Sequence, residues 1–149
     1  SFFTDENATV LELLKIFADN DTNIIPALNE HKEYLGYFDL RDVLDLFSNS
    51  PFMVEESETL IVEQLKNVYS MSQIVQIIES NGGQLLGLYI SEKKENFIQV
   101  TLNIVTNEIN EIMQTFRRYD YKIISMHEND MYLKDLKKRS EYLQKYLEI

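Results

Sequence analysis

Cysteine is absent from this 149-residue chain, which excludes disulfide frameworks, thiolate zinc sites and cysteine nucleophiles. Tryptophan is absent too, so the aromatic residues are nine Tyr and eight Phe. Basic residues are scarce: 14 Lys and Arg stand against 25 Asp and Glu, a formal net charge of -11. Phosphate backbones and anionic bilayers repel such a surface, so neither nucleic acid nor membrane is expected as a partner, and the acidity serves solubility. A local pocket can still accept a nucleotide, because short-range donors outweigh net charge there. Histidine is rare, and His31 and His127 stand apart in sequence. Each reads as a solvated surface group, so no metal site is expected. No Ser-His-Asp order and no G-x-S-x-G is legible, so no residue is assigned a catalytic role. Nothing resembles a signal peptide and no apolar run is long enough to cross a bilayer, so a cytoplasmic location is expected. The chain starts at Ser1 rather than Met and runs straight into Phe2 and Phe3, the pattern of a processed chain or of a piece of a longer one.

What is present is an ordinary globular composition, 44% hydrophobic and 26% charged, enough to bury a core. Val10, Leu13, Leu14 and Phe17 recur at i, i+3, i+4, i+7, the stripe of an amphipathic helix ended by Asp19, Asn20 and Asp21. Asn23–Leu28 reads as a strand, placed at an edge or terminated by Pro26, which lacks a ladder donor. After a polar turn, Tyr34–Phe38 is a second strand. Asp39 is placed to cap a helix carrying Val43, Leu44, Leu46 and Phe47. Pro51 and the acidic Glu55, Glu56 and Glu58 break the pattern and read as a solvated connector over 51–58.

A second unit follows. Leu60 to Lys66 is a strand, and Met71, Ile74, Val75 and Ile78 mark a helix capped by Ser70 or Ser72. Asn81-Gly82-Gly83 stops that helix. Leu85–Ile90 is a strand, 91–96 a charged hairpin loop, and Phe97–Val105 a strand of strict alternation. Ile109, Ile112, Met113 and Phe116 form another helix, with Arg117 and Arg118 suiting the dipole at its end. Tyr121–Met126 is a last strand. Residues 131–147 form a charged helix with Leu133, Leu136, Leu143 and Leu147, in which Lys137, Lys138 and Arg139 read as salt-bridging surface. The fold class is therefore α+β: β-α-β-β-α, then β-α-β-β-α-β in the split β-α-β order, then a C-terminal helix. A mixed sheet covered by helices on one face is expected for the second unit. The neutral polar side chains Gln99, Thr101 and Asn103 share a strand face, suited to water or to a second identical face, since burying neutral groups costs less than burying ions.

The order helix, Ile25-Pro26, strand, Gly36, helix, with Gly36-Tyr37-Phe38-Asp39-Leu40-Arg41-Asp42, resembles the cystathionine-β-synthase (CBS) motif. That family carries Gly, two residues, Thr or Ser, two residues, Asp at this place. The resemblance implies a nucleotide-binding set of Ile25, Pro26, Gly36, Asp39 and Asp42, with Asp42 holding ribose hydroxyls and position 39 facing phosphate. Asp39 stands where the family has a hydroxyl and would repel phosphate. Adenosine, an S-adenosyl compound or no ligand at all then fits position 39 better than ATP or AMP. Such motifs work in pairs, so a single one implies pairing with another copy. Residues 59–128 resemble an ACT domain, carried by Tyr69-Ser70-Met71-Ser72-Gln73 through Gly82-Gly83 and Leu85-Leu86-Gly87. CBS followed by ACT is similar in order to acetoin-utilisation-type regulatory proteins. An ACT resemblance implies a small metabolite near the loop before the helix, here Asn67, Tyr69 and Ser70. The loop lacks the usual Gly, whose absence hinders close approach of backbone N–H groups to a carboxylate.

The expected organisation is thus a single CBS motif at 1–50, a linker at 51–58, an ACT-like domain at 59–128 and a helix at 129–149. The expected function is a non-catalytic regulatory module that forms a homodimer and acts on a regulated protein partner; no cofactor is required, and an adenosine-containing ligand is an optional one. The alternatives are a purely structural dimerisation module and an enzyme using an acid–base pair.

Overall fold

The computed structural model describes residues 3–125 and 131–147. The chain divides into two compact units, Ser1–Val54 and Glu55–Ile149.

In the first unit β1 (Thr4–Asp5), β2 (Ile24–Leu28) and β3 (Tyr34–Asp39) form a sheet in that order, β1 parallel and β3 antiparallel to β2. Helix α1 (Val10–Asn20) starts at a capping box absent from the sequence reading: the Thr9 hydroxyl accepts from the Glu12 N–H, and the Glu12 carboxylate accepts from the Thr9 N–H. It ends at Asp21, left-handed at φ 46°, whose N–H donates to the Phe17 carbonyl. Helices α1 and α2 (Leu40–Ser48) cover one sheet face, where Leu13, Phe17, Ile25 and Val43 form the core. The expected connector is partly ordered: Pro51–Val54 makes one helical turn, α3, with Pro at a first-turn position where no intrahelical N–H is needed.

In the second unit β4 (Glu58–Leu65), β5 (Gln84–Lys93), β6 (Phe97–Val105) and β7 (Lys122–Ile123) lie in the order β5-β6-β4-β7. Every neighbouring pair is antiparallel, which corrects the expected mixed sheet. The reason is topological: β4 and β5, joined through helix α4 (Met71–Ser80), run the same way, but β6 inserts between them. Helices α4 and α5 (Ile109–Arg118) pack on one face over a core that includes Leu60, Ile74, Leu102, Ile112 and Phe116. Gly82, at φ 77°, turns the chain out of α4 into β5. Two more expectations change. Strand β5 runs on through Lys93, because charged side chains are tolerated on an exposed edge strand, and only 94–96 turn. Regular pairing of β7 covers two residues, after which single contacts hold the chain: Ile124 N–H to the Ile61 carbonyl, and Ile61 N–H to Ser125 Oγ. The readings of His127 and of a strand end at Met126 lie outside the described residues.

The outer sheet face carries Gln99, Thr101 and Asn103, but it is not free of charge. Register places Glu63 beside Gln99, whose amide donates to the Glu63 carboxylate at 3.2 Å. Helix α6 (Met131–Leu147) exposes every side chain from Asp135 onward. Among the described residues no helix is long and apolar enough to cross a membrane.

Candidate functional site

The residues singled out in the first unit meet around the β2–β3 pair and the start of α2. Ile25 opposes Phe38, Pro26 opposes Tyr37, and Ile24 opposes Asp39. Ile25 points inward and is fully buried, so its side chain builds the core. Asp39 is the N-cap of α2, its carboxylate accepting from the Arg41 N–H at 2.8 Å. Asp42 sits in the first turn of the same helix, exposed to solvent. The spacing thus sets two carboxylates at one helix start, where the dipole favours negative charge. Gly36 has φ 152°, and a Cβ there would meet nothing within 4 Å. It therefore serves a backbone conformation that L side chains rarely adopt, and not close packing against a neighbour.

Among the described residues of this unit, no helix covers the other face of the sheet. Ile24, Pro26 and Leu28 of β2 project there with Tyr37 and Tyr34 of β3; Ile24 is 48% and Tyr37 60% exposed. Among the described residues, five buried apolar side chains, Leu13, Phe17, Ile25, Ala27 and Val43, support this unit against fourteen in the second. A unit so small is marginal by itself and gains from covering its open face.

In the second unit Asn67 is exposed, whereas Tyr69 and Ser70 are half-buried with structural tasks. Ser70 caps α4 by accepting from the Gln73 N–H at 3.3 Å, which settles the choice between Ser70 and Ser72. The Tyr69 hydroxyl lies 3.5 Å from Met71 Sδ. The N–H groups of Val68 and Tyr69 both donate to the Leu65 carbonyl, so they do not point at a ligand. Tyr121 packs beneath this loop, its hydroxyl 3.4 Å from the Ser70 carbonyl, and burial raises its pKa above the usual value.

Sequence reading missed the hollow beside the loop. Leu65, Val68 and Phe97 give it an apolar floor, Glu63, Asp120 and Lys122 a charged rim, and its volume is about 370 Å³. Gln64 lines it and is buried, its amide donating to the Tyr119 carbonyl and its carbonyl accepting from the Leu65 N–H. A neighbouring depression of about 560 Å³ brings Asn67 together with Leu65, Lys66 and Phe97. No local pattern announces such a place, because its walls come from β4, the start of β6 and the entry to β7.

Among the described residues no group of three His, Asp or Glu could hold a metal ion. His31 is exposed, 3.7 Å from the Glu30 carboxylate. No buried side-chain polar atom among the described residues lacks a partner.

No curated protein matches the chain. The family model for the CBS domain matches residues 2–49, the segment that carries Ile25-Pro26, Gly36, Asp39 and Asp42. Residues 2–49 are a CBS domain, a kind of unit that is commonly regulatory and ligand-sensing and generally not catalytic.

Proposed function

We propose that this chain is a non-catalytic regulatory module that works as a homodimer, with paired CBS units and an ACT-like second domain at 59–128. The observation that carries the reading is the open apolar face of Ile24, Tyr34 and Tyr37 over a small core of five buried apolar side chains among the described residues. A second copy of the same face covers it with two-fold symmetry, the commonest arrangement for soluble oligomers. The cleft so formed takes an adenosine-type ligand. Pro26 and Gly36 border it, and Asp39 and Asp42 offer carboxylates to ribose hydroxyls and disfavour phosphate. In the ACT-like domain the hollow of Leu65, Val68 and Phe97 takes the apolar part of a small metabolite, with Lys122 at its rim suited to a carboxylate. Ligands act by binding one arrangement of the paired units better than another, a coupling of about 1–3 kcal/mol. The readout is a regulated protein partner.

Sedimentation of the wild-type chain and of Tyr37→Glu tests the pairing: a dimer that the substitution dissociates supports it, and a wild-type monomer at all concentrations refutes it. Melting scans with adenosine, AMP and amino acids test the sensing, since a ligand at 100 times its Kd adds about 2.7 kcal/mol to stability. One observation favours a second reading, a structural dimerisation module: Asp39 and the N–H groups of Val68 and Tyr69 already have intramolecular partners. A melting temperature unmoved by every ligand selects that reading.

A further inference from the structure

We infer that α6 is a dimer clasp, in which two copies of the chain pair through this helix, parallel and in register. The inference rests on the two-copy reading above and adds a second contact to it. Leu136, Ser140, Leu143 and Leu147 alternate at steps of four and three, and Leu133 holds the preceding position of the same register in the sequence. At about 100° per residue these positions fall within about 80° of the helix circumference. So narrow a seam suits a two-helix coiled coil better than the broader face that helices lay on a globular core. Leu143 is 58% and Leu147 81% exposed. A helix of 17 residues is marginal in water unless something covers its apolar side.

The charges select the occupant. Lys138 and Lys145 lie on the side opposite the seam and stay in water when two helices pair. The flanking positions are Lys137, Arg139, Gln144 and Tyr146. In a parallel pair Arg139 meets Gln144 of the second copy, so no like charges face each other at that flank. Arg139 is in addition paired with Asp135 at 3.1 Å within its own helix. An anionic lipid surface would repel the rest of the chain, whose net charge is -11 overall. The helix spans fewer than three heptads, with Ser140 in the seam, so the clasp reinforces a dimer rather than making one alone.

The cysteine-free sequence makes the test direct. In the full-length protein Leu147→Cys is expected to form a disulfide-linked dimer under mild oxidation, because register pairing brings the two positions within the reach of about 7 Å that a disulfide needs. An antiparallel pair would hold them about 20 Å apart. Lys138→Cys, on the far side, is the control and stays monomeric on denaturing gels. The double variant Leu136→Asp, Leu143→Asp is expected to weaken dimerisation at least tenfold in sedimentation while the circular dichroism of the folded body is kept. Cross-linking of Leu147→Cys no faster than the control, in a chain that still sediments as a dimer, overturns the clasp and leaves the sheet-face reading standing. A wild-type monomer overturns both. Flotation with phosphatidylglycerol vesicles that the double variant abolishes would instead assign the seam to lipid.

Discussion

Replacing Asp39 by Thr restores the hydroxyl that CBS motifs carry there, and it separates the capping role of this residue from its effect on ligands. Thr Oγ can accept the Arg41 N–H that the carboxylate holds at 2.8 Å, so stability should change by less than about 0.5 kcal/mol. Asp39→Ala, which loses the cap, should cost about 1 kcal/mol. A carboxylate about 4 Å from a phosphate charge costs about 4 kcal/mol at the effective dielectric of a protein surface. Asp39 is partly solvated, which leaves roughly 1–2 kcal/mol after screening. Asp39→Thr should therefore tighten AMP binding by about 5- to 30-fold and leave adenosine within about twofold. Calorimetric titration of both ligands against wild type and both variants reads this directly. Equal changes for adenosine and AMP, or no binding of either to any form, would refute the placement of phosphate at position 39.

Gln64→Leu keeps the volume but removes the partners of the Leu65 N–H and the Tyr119 carbonyl, and should destabilise the second unit by about 2 kcal/mol in urea melts. Gly83→Ala puts a Cβ 3.0 Å from the Ile112 and Ile78 side chains and 3.1 Å from the Ile78 carbonyl; overpacking of this kind should cost about 1–2 kcal/mol, read from the denaturation midpoint. The raised pKa of Tyr121, caused chiefly by burial, means that folding favours the neutral phenol. That contribution is complete below pH 10 and is lost as pH climbs through the folded-state value, so Tyr121→Phe should flatten the alkaline fall in stability, followed by tyrosinate absorbance together with circular dichroism.

The sequence by itself determined the elements, because their signals are local. Apolar steps of three and four residues announced α1, α4 and α5. Strict alternation announced β6, Asp39 was legible as a cap, and Gly36 with Asp42 marked the CBS motif. What only tertiary structure decided depends on residues far apart in the chain. The insertion of β6 between β4 and β5 made the sheet antiparallel throughout. Register across strands set Glu63 against Gln99, and the chain fold brought Gln64 to the Tyr119 carbonyl, 55 residues away. The hollow of Leu65, Val68 and Phe97 was invisible for the same reason: each residue follows its own element's pattern, and concavity arises only where the ends of those elements meet.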